Sequence, residues 1–417
     1  MMMVSVLKLP LLIILLLMTS ATMAKQDSQY LLTEKTYKAL SAAQALMETD
    51  KFSAAEIELK SLLDKTESSS YERAVVQQTL GYLYSSLEDY KQASLLFQQA
   101  LDSNALPEKV SHDLLYNLAQ LFLADEQYNK GIVMLEKWLK SEASPPNSAH
   151  VLLASAYYRV KNYKKTVEHI SIAIKNDKSA KESWYQVLLA ARLELKQYKS
   201  AISVLETLIT RYPYQETYWS QLSALYLQQN KEFTAMAVKM LAQRLELGDA
   251  KTLINLADMY RYLQIPYKSA QLLTQGINDG VIPSDLDNLN RLADSWLAAK
   301  EALKAIPVLD KITALDDSGE SDLKYSRVLF GLEQWQTASE SLSKSLTKLK
   351  GKRAGAALLL LGMTQFHLGQ LSLAKASFSK AVKFENERNQ AGQWLRHVDN
   401  LMSERESDAS ESSTVEN

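Results

Sequence analysis

The sequence predicts an all-α fold, an α-α superhelix of about ten stacked helical hairpins closed by a C-terminal capping helix. Three observations predict it. The 417 residues include only 12 glycines and 8 prolines, too few turn-forming residues for an all-β domain. Hydrophobic residues make up 47% of the chain, which is enough for a large buried core. A short motif recurs with a period near 35 residues over most of the chain, which is typical of stacked repeats.

The composition excludes several classes of function. The chain has 47 Lys and Arg residues against 48 Asp and Glu residues, so we expect no broad cationic surface and no nucleic-acid partner. It contains no cysteine, which excludes disulfides, zinc–thiolate sites, iron–sulfur clusters and thiol catalysis.

Residues 1–24 are predicted to be a secretory signal peptide. Lys8 precedes the apolar run 9–18, and small residues then lead to a polar segment that begins at Lys25. The apolar run is shorter than the roughly 20 residues that a spanning helix needs. We therefore expect cleavage after Ala24, a mature chain without a stable membrane span, and a bacterial periplasmic location. An uncleaved N-terminal anchor is the alternative.

The repeated motif is a large side chain followed three positions later by a small residue, as in Tyr90 and Ala93. Successive small residues are 33 to 38 positions apart. They are Ala55, Ala93, Gly131, Thr166, Ala201, Ala235, Ala270, Ala305, Ala338 and Ala374. Ten occurrences at such regular spacing predict ten structural units between about residues 36 and 384.

Each unit is predicted to be a pair of helices. In the second unit Gly81 and Tyr84 share one face of a first helix, and Ala93 and Phe97 share one face of a second. The small residues allow the two helix axes to approach closely, and the aromatic rings fill the space beside the crossing. A single hairpin cannot bury both of its faces, so we expect the hairpins to stack on one another.

The C-terminal region is predicted to close the stack. Apolar residues at helical spacing indicate a capping helix over about residues 387–402, which completes one superhelical domain at residues 25–402. Residues 403–417 are rich in Ser and Glu and contain no aromatic residue, so we expect a disordered tail.

This pattern resembles the tetratricopeptide repeat. The second unit matches it best, with Leu80, Gly81, Tyr84, Ala93, Phe97, Ala100 and Pro107. Lys239, Ser326 and Ser345 depart from the pattern. The resemblance implies a superhelix whose concave surface, lined by the first helix of each unit, binds a segment of another protein.

The resemblance also places candidate contact residues on that concave surface. They are Tyr82, Gln120, Tyr158, Arg159, Gln186, Asp258, Arg261, Tyr262 and Asp294. Aromatic and arginine side chains are the types that anchor protein interfaces. Ordinary solvated helix surface is the alternative interpretation for each of them.

Two stretches resemble a narrower group. Residues 211–222 and 264–282, together with Tyr30 and Glu34, resemble the exported tetratricopeptide component associated with TonB–ExbB–ExbD systems of marine gammaproteobacteria. That resemblance implies a periplasmic scaffold or adaptor that assists TonB-dependent uptake, for instance iron transport, and whose partners include TonB-system proteins of the cell envelope.

No motif predicts an enzyme, a metal site or a cofactor. No two of the five histidines lie four residues apart, and no glycine-rich phosphate loop or activated-serine motif is present. The alternatives to a TonB-associated scaffold are a polysaccharide or pilus assembly factor, and an enzyme of cell-wall metabolism. A basic cluster at residues 344–353 is interpreted as charge at a helix C-terminus, with a docking patch as the alternative.

Overall fold

A computed structural model describes residues 30–68 and 70–415, with side chains to residue 405. The described residues form 21 α-helices and no strand, which confirms the all-α fold class. The chain divides into two compact units, residues 1–208 and 209–417. The predicted signal peptide at residues 1–24 lies outside the described residues. None of the described helices combines the length and the apolar character needed to cross a membrane.

The first twenty helices form ten pairs. The helices are α1 Glu34–Glu48, α2 Phe52–Leu63, α3 Tyr71–Ser86, α4 Tyr90–Asp102, α5 Glu108–Ala124, α6 Tyr128–Ser141, α7 Asn147–Arg159, α8 Tyr163–Asn176, α9 Glu182–Glu194, α10 Tyr198–Arg211, α11 Glu216–Gln228, α12 Glu232–Arg244, α13 Ala250–Tyr262, α14 Pro266–Asn278, α15 Leu286–Ala298, α16 Ala302–Leu315, α17 Glu320–Gly331, α18 Trp335–Lys348, α19 Lys352–His367, α20 Leu371–Ala381 and α21 Arg388–Val415. Three residues join the two helices of every pair.

The ten turns inside the pairs share one backbone path. The middle residue of each turn is left-handed, with φ between 55° and 73°. These residues are Asp50, Glu88, Glu126, Lys161, Lys196, Asn230, Gln264, Lys300, Glu333 and Gly369. In the second turn the Asp89 N–H donates to the Tyr84 carbonyl at 2.9 Å, and the other nine turns make the equivalent bond. This bond defines a Schellman motif, which ends the first helix and fixes the repeat register.

That register corrects one predicted position. Ser269, rather than Ala270, lies five residues after the left-handed residue, where the other pairs have their small residue. The sequence pattern indicated Ala270 because Tyr267 is a large residue three positions before it, as the motif requires. In the structure α14 begins one residue earlier, at Pro266. Ser269 and Ala270 are both fully buried.

Glycine allows the closest helix crossings. A Cβ atom on Gly81 would lie 2.3 Å from the Phe97 ring, and one on Gly362 would lie 2.5 Å from the Phe378 ring. Both rings are at most 1% exposed. The predicted role of Gly81 and Phe97 at this crossing is therefore confirmed, and the tenth pair repeats it.

Helix α21 covers the end of the last pair. Val398 is fully buried, and the Trp394 ring lies 5.8 Å from the buried Phe378 ring. The helix continues to Val415, so residues 403–415 extend it where the sequence predicts a disordered tail. This segment contains no glycine or proline, and its Glu, Arg and Ala residues favour a helix.

A pair of histidines is buried inside the α7–α8 hairpin. The Nδ1 atoms of His150 and His169 lie 3.1 Å apart, and the Tyr157 ring stacks on His169. Tyr157 donates its hydroxyl hydrogen to the Glu136 carboxylate of α6. In the neutral pair at this distance, one imidazole donates its Nδ1 hydrogen to the Nδ1 of the other, and protonation of either ring would place a cation in a buried site.

We expect this pair to make stability depend on pH. Burial lowers the pKa of both imidazoles below the ordinary 6.5, and the His150 charge lowers that of His169 further. Glu136 and Glu168 oppose this lowering at His169, and Lys165 adds to it. The unfolded chain therefore binds protons at these histidines more tightly than the folded chain does. The contribution of the neutral pair to the free energy of unfolding should be fully present above pH 6.5 and should be lost as the pH drops below it.

Urea midpoints at pH 7.5 and 5.0 measure this effect. The variant with His150→Leu and His169→Leu should show a smaller fall in midpoint between the two pH values than the unaltered chain. His397→Gln is the control, because it removes an exposed histidine that lies outside the buried pair. Equal pH dependence in the double variant and the unaltered chain would contradict the assignment.

Candidate functional site

All nine candidate contact residues lie on the first helices of their pairs. The positions are Tyr82 on α3, Gln120 on α5, Tyr158 and Arg159 on α7, Gln186 on α9, Asp258, Arg261 and Tyr262 on α13, and Asp294 on α15. Five of them belong to the N-terminal unit and four to the C-terminal unit. The two groups are therefore described separately.

In the N-terminal unit, Tyr82 joins two successive repeats. Its hydroxyl accepts a hydrogen bond from Asn117 Nδ2 of α5 at 3.0 Å, and its ring meets the edge of Phe97. Burial raises the pKa of Tyr82, so the phenol remains a neutral hydrogen-bonding group. Tyr82 is thus a link within the protein rather than a freely available contact.

Of the other four candidates of this unit, one is exposed and three are half-buried. Arg159 is exposed, with its guanidinium 6.0 Å from the centre of the Tyr128 ring. Tyr158 is half-buried and meets the Tyr163 ring edge-on at 5.4 Å. Gln120 and Gln186 are also half-buried, and Gln186 donates to Glu182 of its own helix at 3.3 Å.

The C-terminal unit repeats the link made by Tyr82, with charged groups. Asp258 forms an ion pair with Arg291 of α15, and Asp294 accepts from Lys324 of α17 at 2.6 Å. All three links join the same two repeat positions. The first residue of each link directly follows the small residue of its first helix, and its partner lies two positions before the equivalent small residue of the next first helix. Asp258 and Asp294 therefore link neighbouring repeats.

Three candidates come together around one cavity. Asp258, Arg261 and Tyr262 line an open cavity of about 520 Å³ between α13 and the end of α15. Gln264, Pro266 and Ala298 complete its walls. Sequence reasoning missed these last three because Gln264 and Pro266 lie in and after the turn, and Ala298 comes from the next repeat.

The charges around this cavity are unequal. Arg291 neutralises Asp258, whereas Arg261 makes no ion pair with any residue that the structure describes. The Tyr262 side chain is 72% exposed, although it is large and largely apolar. The cavity therefore presents a cation and an aromatic ring to whatever enters it, a combination that suits a carboxylate next to an apolar side chain.

The basic cluster at residues 344–353 is partly neutralised inside the protein. Lys344 and Lys348 lie 3.1 and 3.7 Å from the carboxylate of Asp322, which is 1% exposed. Arg353 pairs with Glu320. These pairs favour a structural role for the cluster over a docking patch.

Groups suited to chemistry are scattered. Among the described residues, no three His, Cys, Asp or Glu side chains form a group that could hold a metal ion. The buried carboxylates of Asp322 and Glu387 have different surroundings, since Asp322 contacts lysines of α18 whereas Glu387 lies against Gly355 of α19.

Two family models match parts of the chain. The model described as tetratricopeptide repeat matches residues 74–105 and 355–388, which coincide with the α3–α4 and α19–α20 pairs. The model described as anaphase-promoting complex, cyclosome, subunit 3, matches residues 124–208. No curated protein matches the chain.

Solved structures give distant likenesses. The APC/C heterotetramer Cut9–Hcn1 is 12% identical over 87% of this chain and 84% of that chain, with a TM-score of 0.29. MamA from Desulfovibrio magneticus RS-1 is 18% identical over 44% of this chain and 99% of that chain, with a TM-score of 0.36. YrrB, a TPR protein with an unusual peptide-binding site, is 14% identical over 40% of this chain and 84% of that chain, with a TM-score of 0.34.

These structural likenesses are too distant to support an inference about function. The family assignment depends instead on the two matched repeats and on ten helix pairs that share one turn geometry and one period. On that evidence, the chain contains tetratricopeptide repeats.

Proposed function

We propose that this protein is a periplasmic scaffold that binds a segment of a partner protein at its first-helix surface, as an accessory component of a TonB-dependent uptake system. The observation that carries the proposal is the cavity where Asp258, Arg261 and Tyr262 meet. The signal-like residues 1–24 support export, and the resemblance of residues 211–222 and 264–282 supports the TonB association.

The cavity indicates how a partner segment would bind. Arg261 offers a guanidinium that can take two hydrogen bonds from a carboxylate, and Tyr262 offers a large face with few rotatable bonds. An acidic residue of the partner would pair with Arg261 while its apolar neighbour covers Tyr262. Asp258 remains bound to Arg291, so it should not repel that carboxylate.

In-cell photocrosslinking tests this proposal. A crosslinking amino acid at Gln264, on the cavity wall, should capture a partner in cells, whereas one at the exposed Gln228 should not. The double variant Arg261→Glu and Tyr262→Ser should reduce the Gln264 crosslink at least tenfold, because it reverses the charge and removes the aromatic contact. Arg244→Glu, an exposed arginine at the end of α12, is the control and should leave the crosslink intact.

The identity of the captured protein separates the two levels of the proposal. Capture of TonB, ExbB, ExbD or a TonB-dependent receptor supports the uptake role. A polysaccharide-export or pilus protein in their place would keep the scaffold and overturn the TonB association. A crosslink that the double variant does not weaken would overturn the cavity as the binding site.

A further inference from the structure

Three successive turns of the C-terminal unit expose large apolar side chains at the same repeat position. Phe233, Tyr267 and Leu303 are each the second residue of the second helix in their pairs, α12, α14 and α16. Their exposed fractions are 63%, 40% and 69%. Because the repeat register places them at equivalent points, they protrude from one edge of the stack, beside the turns.

The other pairs do not share this feature. At the same position they have Ser53, Lys91, Asn129, Lys164, Lys199, Gln336 and Ser372. A polar residue is the ordinary choice at this solvent-exposed point, so three consecutive apolar residues require an explanation.

The turns that present these side chains are also rich in cations. Residues 226–234, 260–270 and 296–306 contain five cations and two carboxylates. The cations are Lys231, Arg261, Lys268, Lys300 and Lys304, and the carboxylates are Glu232 and Glu301. Lys304 Nζ lies 4.8 Å from the centre of the Tyr267 ring, so cation and apolar surface are in direct contact.

We propose that this turn edge, made of Phe233, Tyr267, Leu303 and the five cations around them, binds the surface of a membrane that contains anionic lipid. The three side chains protrude singly from successive turns, which suits insertion between lipid headgroups better than capture of a continuous peptide. Lysine and arginine beside them match the negative charge of the headgroups. The three apolar side chains lie on second helices, and Arg261 of α13 is the cation that the edge shares with the cavity of the first-helix surface. Variants of Phe233 and Leu303 therefore test this contact separately from partner binding.

Vesicle sedimentation tests the proposal. The protein purified from cells is mixed with vesicles of phosphatidylcholine alone or of phosphatidylcholine with about 30% phosphatidylglycerol, which supplies anionic headgroups. We expect binding to the anionic vesicles only. Most of this binding should be lost in 0.5 M NaCl, because the Debye length then falls to roughly 4 Å and screens the attraction between lysines and headgroups. Phe233→Ser with Leu303→Ser should reduce binding at least fivefold.

A matched variant makes the result specific. Leu315→Ser with Leu373→Ser removes two leucines of similar exposure, 56% and 53%, that lie elsewhere in the same unit, and it should bind like the unaltered chain. Equal binding of the two double variants would overturn the proposal, as would failure of the unaltered chain to bind. If the chain instead binds an acidic peptide such as hexaglutamate, with the same dependence on Phe233 and Leu303, the edge is a protein-docking surface and the membrane assignment is wrong.

Discussion

Replacing both Lys344 and Lys348 with methionine is expected to lower the free energy of unfolding of the C-terminal unit by about 3 kcal/mol. The reason is that Asp322, whose side chain is 2% exposed, would lose both of its cationic partners while staying buried. A buried carboxylate without a partner is strongly unfavourable. Urea denaturation followed by circular dichroism measures the change.

Two further variants separate this effect from a general loss of charge. Lys350→Met removes an exposed cation that has no ion pair among the described residues, and it should change stability by less than about 0.5 kcal/mol. Adding Asp322→Leu to the double methionine variant should recover most of the lost stability, because no charge then remains buried. A double methionine variant as stable as the unaltered chain would show that Asp322 does not depend on these lysines.

Adding a single methyl group at Gly81 is expected to destabilise the N-terminal unit by about 1–3 kcal/mol. The alanine Cβ would lie 2.3 Å from the Phe97 ring, which is 1% exposed and therefore has little room to move. Gly362→Ala should have a similar effect in the C-terminal unit, because the Phe378 ring occupies the same place there. Urea midpoints of the purified variants measure both changes.

Gly331→Ala provides the control for this experiment. Gly331 also lies in a first helix, but apart from its chain neighbours and the backbone of its own helix, no atom is within 4 Å of the place where its Cβ would be. Alanine has a higher helix propensity than glycine. This substitution should therefore leave the free energy of unfolding unchanged or raise it by up to about 1 kcal/mol. Combining Gly81→Ala with Phe97→Leu should cost less than the sum of the two single changes, and strict additivity would contradict the proposed clash.

The sequence predicts the architecture well because its main signal is local and repeated. Small and large residues recur with one period, and that period fixes the number of pairs and the crossing at Gly81. Departures from the pattern did not disturb the helices. Ser326 and Ser345 are fully buried at positions where the pattern prefers small apolar residues, because their hydroxyls donate to the carbonyls of Asp322 and Gly319.

The details of the candidate surface depend on contacts between repeats, which a local pattern does not contain. Sequence reasoning grouped Tyr82, Asp258 and Asp294 with the freely available contact residues, whereas the structure shows each one linked to the following repeat. The partners lie 30 to 35 positions away and carry no signal of their own. The signal for these links is the complementarity of residues that lie about one repeat apart.

The shared path of the ten turns bears on how such a chain changes during evolution. The bonds that fix this path join backbone groups, and the left-handed position accepts Asp, Glu, Lys, Asn, Gln or Gly. Substitutions beside the turns can therefore accumulate with little effect on the stacking of the helices. Such a chain can acquire a new surface there one residue at a time, without any change to the buried crossings that hold the pairs together.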